Sequence, residues 1–352
     1  MPRVTVITPT FNHASFIADC LRSTTAQTFG DWEQFVIDDG STDGTGDVVR
    51  AFRDPRIHYV RQERLGLCGL PQTYNRALAL GTGSLVAVLE GDDWWPADKL
   101  ETLVPAFRDE GVVLAYGRQV CVGRSPLHPP SLPDPRRPLP RDVLFNMPVG
   151  RASVTMMRKD VLVFTGPSSI VLRRASLDRI GGFRGCAGFP ATDYPTLLRI
   201  GLLGRFHFED RPMSYWRLHP GQATQVLQAT REKHLALMRR AWIVVREFHA
   251  ACGARLGLSA AAWSDIEAGW ERDLWGGCPI QEGRRLLAEG RLHQARGRFR
   301  RAARTMGRFA RLIAIAGLGA SMVGASLEGC YRMLGRPYYR RLTTGGFSKT
   351  RQ

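Results

Sequence analysis

No CxxC pair occurs anywhere in the chain. Its seven cysteines, Cys20, Cys68, Cys121, Cys186, Cys252, Cys278 and Cys330, are odd in number and scattered. That spacing excludes a disulfide framework and a structural zinc site, and it fits a reducing compartment. The start of the chain lacks a signal-peptide pattern, because Arg3-Val4-Thr5-Val6-Ile7 already reads as a strand. No apolar run reaches the about twenty residues that a membrane span needs. Leu312 to Leu327 comes nearest, uncharged over sixteen residues but rich in Gly, Ala and Ser, and it reads as a packed or interfacial helix. There is no aromatic-interleaved basic patch and no nucleic-acid motif, so nucleic acid is not expected as a partner.

Acidic residues are scarce toward the end. From Gln222 onward, 9 Asp and Glu stand against 23 Lys and Arg, which accounts for most of the net charge of +17. Arg296, Arg298, Arg300, Arg301, Arg304, Arg308 and Arg311 are prominent among them. A tail of this sign is drawn to polyanions such as an anionic membrane face; a solvated basic helix is the plainer alternative. The change in character divides the 352 residues into an α/β region, 1–221, and a basic α-helical region, 222–352.

Apolar and β-branched runs at Arg3–Thr8, Gln34–Ile37, Ile57–Val60 and Leu85–Leu89 read as strands. Between them, helical spacing recurs from Phe16 (with Ser15 as a cap), around Asp47–Phe52 and around Pro71–Leu80. This alternation predicts a mostly parallel sheet with helices on both faces, in which ligands sit beyond the carboxyl ends of the strands. A helix is expected from Pro96, broken or kinked at Pro105. Residues 125–142 hold seven prolines and read as a loop, a candidate cover for the ligand site. Near the end, Gly290, Leu292, Ala295, Phe299 and Ala302 have the spacing of a helical hairpin.

Polar and acidic residues gather at the strand ends: Thr8-Pro9-Thr10, Asp38-Asp39-Gly40-Ser41 and Glu90-Gly91-Asp92-Asp93. Three carboxylates as close as Glu90, Asp92 and Asp93 repel one another unless a cation or a ligand hydroxyl lies between them. Hard divalent cations take carboxylate and phosphate oxygens, so Mg2+ or Mn2+ bound with a diphosphate fits here. Taken alone, the tetrapeptide also reads as a turn with helix-capping acids, and Asp-Gly as an ordinary turn.

The run Val4-Thr5-Val6-Ile7-Thr8-Pro9-Thr10-Phe11-Asn12, then Ser23 to Phe29, then Val36-Ile37-Asp38-Asp39-Gly40-Ser41-Thr42-Asp43, resembles the family 2 glycosyltransferases of the GT-A fold. Gly69, Asn75, Leu89 to Trp95, Ile180-Gly181-Gly182-Phe183, Thr192-Asp193-Tyr194 and Tyr215 to His219 continue the resemblance in order over about residues 1–225. It implies a GT-A, Rossmann-like sheet and an inverting, metal-dependent transfer from a nucleotide-diphospho-sugar, by default a UDP-sugar, to a hydroxyl of a glycan or lipid-linked acceptor. Thr8, Pro9, Thr10, Asn12, Asp38, Asp39 and Asn75 would line the donor site. Glu90 and Asp92 would fill the two acidic places of the Asp-x-Asp motif; Asp92 or Asp93, with His219, would hold the metal, and Asp193 would be the general base. Glu90 stands where Asp is commoner, and Thr192 where Glu is usual. The alternative is a GT-A protein that binds a nucleotide-sugar without turnover. With the basic tail, these features lead to the expectation of a cytoplasmic enzyme, peripheral on the inner face of the membrane.

Overall fold

The computed structural model describes residues 2–123, 146–158, 166–185, 191–228, 230–275, 292–305, 311 and 314–319. The proline-rich segment 125–142 and most of 312–327 lie outside these residues.

The first half alternates as its periodicity predicts. Strand β1 (Val4–Thr10) leads to α1 (Ile17–Thr25), β2 (Trp32–Asp38), α2 (Thr45–Ala51), β3 (Ile57–Arg61), α3 (Leu70–Leu80) and β4 (Leu85–Val88). These strands pair in parallel in the order β3-β2-β1-β4. All of β1 is buried, as expected of a strand covered on both faces. Val4 and Val6 pack with Ile17, Cys20 and Leu21 of α1 in one cluster. Thr5, on the opposite face by strand alternation, meets Gly81 and Gly83 just beyond α3. Each fully buried Val, Leu or Ile contributes about 1.5–3 kcal/mol, so this double cover is the main stabilisation of the sheet.

Strand β1 runs on through Pro9, where the sequence suggested it would stop. Pairing with β4 ends at Ile7, while pairing with β2 continues to Thr10. The Pro9 carbonyl accepts from Gly91 N on the β4 side, so the N–H that proline lacks would face the same edge, past the end of β4. Ser15 is not the cap of α1; Phe16 holds that position without a side-chain bond. Helix α4 (Lys99–Leu103) is short, because Pro105 sits in the 3-10 turn Val104–Arg108 that replaces its continuation.

The remaining elements are β5 (Val112–Val122), β6 (Asn146–Met147), α5 (Arg151–Arg158), β7 (Ile170–Arg173), α6 (Arg174–Arg179), α7 (Asp193–Ile200) and β8 (Arg205–Arg217). Strand β7 enters between β4 and β5 and is antiparallel to both, giving the order β3-β2-β1-β4-β7-β5-β8-β6. Strand β8 runs parallel to β5 with register irregularities, and Tyr215 bridges to Trp94. That bridge carries the residues just after β8 to the end of β4.

Helices α8 (Ala223–Gln228), α9 (Arg231–Leu256), α10 (Ala260–Trp275) and α11 (Leu292–Thr305) follow. The compact units are Met1–Leu258 and Ser259–Gln352, so α8 and α9 group with the sheet, whereas the sequence changes character at residue 221. Helix α9 buries Val244, Val245 and Phe248, packs on α7, and brings Leu256 close to Gly150. Helix α11 buries Ala295, Phe299 and Ala302. Among the described residues, no helix is long and apolar enough to cross a membrane. Cys20, Cys68, Cys121 and Cys252 are free thiols.

Candidate active site

Strand order reverses between β1 and β4, and a crevice beyond the carboxyl ends of such strands is the usual ligand site. The segments after β2 and β4 are both stitched to the end of β1. Asp39 N donates to the Thr10 carbonyl at 2.9 Å, and Gly91 N donates to the Pro9 carbonyl at 3.1 Å.

On the β2 side, most of the polar groups build a frame. Thr8 is buried and its Oγ1 accepts from Gln34 Nε2 at 2.9 Å. Asn12 has φ of +54°, a conformation asparagine tolerates better than most residues. Its N–H donates to Ser41 Oγ at 2.9 Å and its Oδ1 accepts from Thr42 N at 2.8 Å. Asp38 Oδ1 accepts from Ser41 N at 2.8 Å and Oδ2 from the Tyr59 hydroxyl at 2.6 Å. Burial, then this carboxylate, push the Tyr59 phenol up to about 12. Asp39 collects Leu65 N, Gly66 N and Gln62 Nε2, which fixes the 62–66 loop. Arg64 of that loop lies 3.8 Å above the Phe11 ring. Thr10 differs: it is buried and, among the described residues, its Oγ1 has no partner. Asn75 also has internal partners, because Nδ2 donates to the Phe183 carbonyl at 2.9 Å and Oδ1 accepts from Phe183 N at 2.7 Å.

The acids after β4 divide by direction. Asp92 Oδ2 is 3.0 Å from His219 Nε2 and 4.0 Å from His13 Nε2. Burial opposes ionisation of Asp92, yet the His219 hydrogen bond and the His13 charge hold its carboxyl below the usual range. Asp93 turns inward: Oδ2 accepts from Ser168 Oγ at 2.6 Å and Oδ1 from Arg217 N at 3.1 Å. Burial, then the Asp92 charge, push it well above the usual range. Of the residues expected to hold metal, the structure therefore brings Asp92 and His219 together and gives Asp93 to the protein interior. Glu90 receives the Tyr74 hydroxyl, and its N–H donates to Ser168 Oγ at 3.1 Å. Burial first, with Asp92 and Asp193 adding and the Tyr74 bond opposing, pushes Glu90 up to about 8.

Among the described residues, no group of three His, Cys, Asp or Glu could hold a metal by protein ligands alone. A carboxylate suits Mg2+ or Mn2+ when phosphate oxygens complete the shell, and the imidazole beside it favours the softer Mn2+ of the two. Burial keeps the His13 ring toward its neutral form against the pull of Asp92. Among the described residues His13 Nδ1 and Thr10 Oγ1 both lack partners, and both lie 2.8 Å from where a Cβ on Gly91 would stand. Two unsatisfied buried groups beside the acids suit a site completed by a polar ligand.

Asp193 opens α7, and its Oδ1 accepts from Tyr194 N at 2.9 Å. Burial raises its pKa. Its charge is felt at Glu90 and Tyr74, which places the expected base on the same side as the acids after β4.

Sequence reasoning missed His13, Tyr74, Lys99 and Ser168, and it saw Arg217 only as a neighbour of His219. Arg217 Nε donates to the Asp92 carbonyl at 3.0 Å, an NH2 group reaches Asp19 at 2.9 Å, and the guanidinium covers Trp94 and Phe16. The Ser168 carbonyl accepts from Trp95 Nε1 and from Nζ of the buried Lys99. Burial lowers the Lys99 pKa well below its usual value, with Asp93 opposing. A histidine directly after Asn12 and a tyrosine directly before Asn75 were the available signals.

Taken together, the strand-order switch between β1 and β4, the acids after β4 and the antiparallel β7 give an α/β protein of the GT-A class. Its backbone resembles TarS of Staphylococcus aureus (residues 1–349, in complex with UDP-GlcNAc), with a TM-score of 0.57 at 19% identity over 96% of this chain and 92% of that one. It also resembles the mannosyltransferase PcManGT of Pyrobaculum calidifontis, in complex with GDP-Man and Mn2+, with a TM-score of 0.51 at 22% identity over 99% and 88% of the two chains. Residues 5–181 match glycosyl transferase family 2, and the chain belongs to that family. TuaG of Bacillus subtilis, a glycosyltransferase named for teichuronic acid biosynthesis, is 41% identical over 102 residues, which is 28% of this chain and 40% of TuaG. The β-1,3-glucosyltransferase WfgD of Escherichia coli, named for transfer from UDP-Glc to α-D-GlcNAc-diphosphoundecaprenol, is 31% identical over 122 residues, 35% of this chain and 47% of WfgD. The chain thus spans less than half of the length of these relatives.

Proposed function

We propose that the protein is an inverting glycosyltransferase that moves a sugar from a nucleotide-diphospho-sugar to a hydroxyl of a glycan or lipid-linked acceptor in cell-surface polysaccharide synthesis. The observation that carries this reading is the 3.0 Å pair of Asp92 Oδ2 and His219 Nε2 at the end of β4, with unpartnered Thr10 Oγ1 close by. The names of TuaG and WfgD support the polysaccharide context, and the UDP-GlcNAc and GDP-Man complexes of the structural relatives support a nucleotide-sugar donor.

Asp92 and His219 would hold Mg2+ or Mn2+ together with the donor's diphosphate. When bound, the ion neutralises charge on the leaving diphosphate. Thr10 Oγ1 donates to the donor from the end of β1, and the frame of Asn12, Asp38 and Asp39 keeps the β2 end in place for the nucleotide. Glu90 faces a hydroxyl of the donor with the carboxyl oxygen that Tyr74 leaves free. Asp193 takes the acceptor's proton on Oδ2 as the oxygen attacks the anomeric carbon from the face opposite the leaving diphosphate, which inverts that centre. A base whose pKa is raised by burial is better matched to this task than an exposed aspartate. The basic tail would hold the enzyme at the anionic inner leaflet, where lipid-linked acceptors lie.

A screen of nucleotide-sugar hydrolysis with and without Mn2+, followed by calorimetry with Mn2+ and UDP or GDP together, tests the reading. Metal-dependent turnover of at least one donor is expected. A folded protein that binds neither nucleoside diphosphate with Mn2+ present sinks it.

A further inference from the structure

Tyr74 is the one side chain bonded to the Glu90 carboxylate among the described residues, and its hydroxyl donates to Oε1. Tyr74 is 1% exposed, and its ring meets Phe183 edge-on at 5.0 Å and 87°. The neighbouring Asn75 clamps the same Phe183 through both ends of its amide. Gly182, at φ +84°, lies so close that a Cβ would stand 2.4 Å from Asn75 Oδ1. Directly after Phe183, Arg184 N donates to Thr196 Oγ1 at 2.9 Å, and Thr196 Oγ1 donates to the Thr192 carbonyl at 2.5 Å. That ties the loop to the first turn of α7, where Asp193 stands. Consecutive residues of α3 therefore hold the acid on the donor side and the loop that leads to the base.

We propose that Tyr74 is a positioning residue for sugar transfer: its hydroxyl fixes Glu90 through Oε1 so that Oε2 faces a hydroxyl of the donor, and its ring locks that setting to the loop before Asp193. The inference rests on the glycosyltransferase reading and adds a role for a residue that the reading leaves idle. It also accounts for glutamate at position 90, since an aspartate would fall short by one methylene, about 1.5 Å. The Asp193 charge is felt at both Tyr74 and Glu90, in keeping with one shared enclosure. A tyrosine that merely filled the core would not need its hydroxyl.

The test is a double-mutant cycle of Tyr74→Phe, Glu90→Asp and the double variant in the full chain, reading kcat and KM for the donor alongside the unfolding midpoint. Tyr74→Phe keeps the ring against Phe183. Each single change is expected to lower kcat by about ten-fold or more, as for other outer-shell partners, with donor KM altered less than about two-fold. The double variant should be no slower than the slower single one, because both changes break the same bond. Full kcat in Tyr74→Phe, or losses that multiply, overturns the proposal. A wild-type chain inert toward every donor sinks the glycosyltransferase reading instead; the Tyr74–Glu90 coupling is then read from the midpoints, where strictly additive shifts overturn it.

Discussion

His219 Nε2 stands 3.0 Å from Asp92 Oδ2 although 127 positions separate the two residues in the chain. Strand β8 makes the meeting possible. The Tyr215–Trp94 bridge pins its end to the acid loop, and Arg217 bonds to Asp92 and Asp93 on the way to His219. The expected consequence is that the two residues act as one unit in metal-dependent donor binding. Asp92→Asn and His219→Ala should each weaken Mn2+ binding in the presence of UDP by about 10–100-fold, and the two effects should not multiply. Titration of Mn2+ into each variant gives the numbers. Unchanged affinity in His219→Ala would remove the histidine from the site.

Asp193→Asn separates donor binding from transfer. The amide cannot take a proton, so transfer should fall by about 10²–10⁴-fold while binding of the nucleoside diphosphate is kept. The pH dependence follows from the direction of the shift. Burial raises the Asp193 pKa, and the base works only when deprotonated, so activity is lost as pH falls through a value above the ordinary aspartate range. The acid limb of kcat/KM in the wild type should therefore lie above that range. An acid limb at the ordinary aspartate value, or a fully active Asp193→Asn, would assign the proton to another group.

Ser168→Ala should destabilise the fold even though it removes a single oxygen. That hydroxyl donates to the buried Asp93 and accepts from Glu90 N, and alanine leaves both without this partner. A buried group deprived of its partner costs about 1–3 kcal/mol. Ser169→Ala is the control, because it deletes only a donation to the Gly166 carbonyl. Urea unfolding should place Ser168→Ala clearly below Ser169→Ala; equal midpoints would mean that Asp93 finds another donor.

Much of this was legible in the chain because the signals are local. The β-branched runs and the alternation with helical spacing led to a mostly parallel sheet with the acids after β2 and β4 at its strand ends, and the structure has that sheet. What escaped depends on distant partners. Asp92 and Asp93 are adjacent and chemically identical, and only Ser168 and the Arg217 backbone decide that Asp93 turns inward. The antiparallel entry of Ile170–Arg173 between β4 and β5 is likewise set by register and not by composition. Asn75 is expected at the donor, and the second task of its amide, holding Phe183, depends on a residue 108 positions away.

The basic tail yields a last prediction, argued from the part of it that has a defined face. Helix α11 buries Ala295, Phe299 and Ala302, which leaves Arg300 and Arg304 exposed on its other side. If that side meets an anionic leaflet, each arginine contributes about 1 kcal/mol, all of which a glutamate in its place would lose. Arg300→Glu with Arg304→Glu should then lower partition onto vesicles rich in phosphatidylserine by at least about 30-fold, the equivalent of about 2 kcal/mol. Raising the salt should shrink the difference, since the attraction reaches only about a Debye length. Hydrolysis of a soluble donor should not change, because neither residue belongs to the site after β4. Flotation with phosphatidylcholine vesicles serves as the baseline, and the wild type is expected to stay unbound there. Equal partition of wild type and variant onto the anionic vesicles would leave the arginines as a solvated face and take the membrane out of the mechanism.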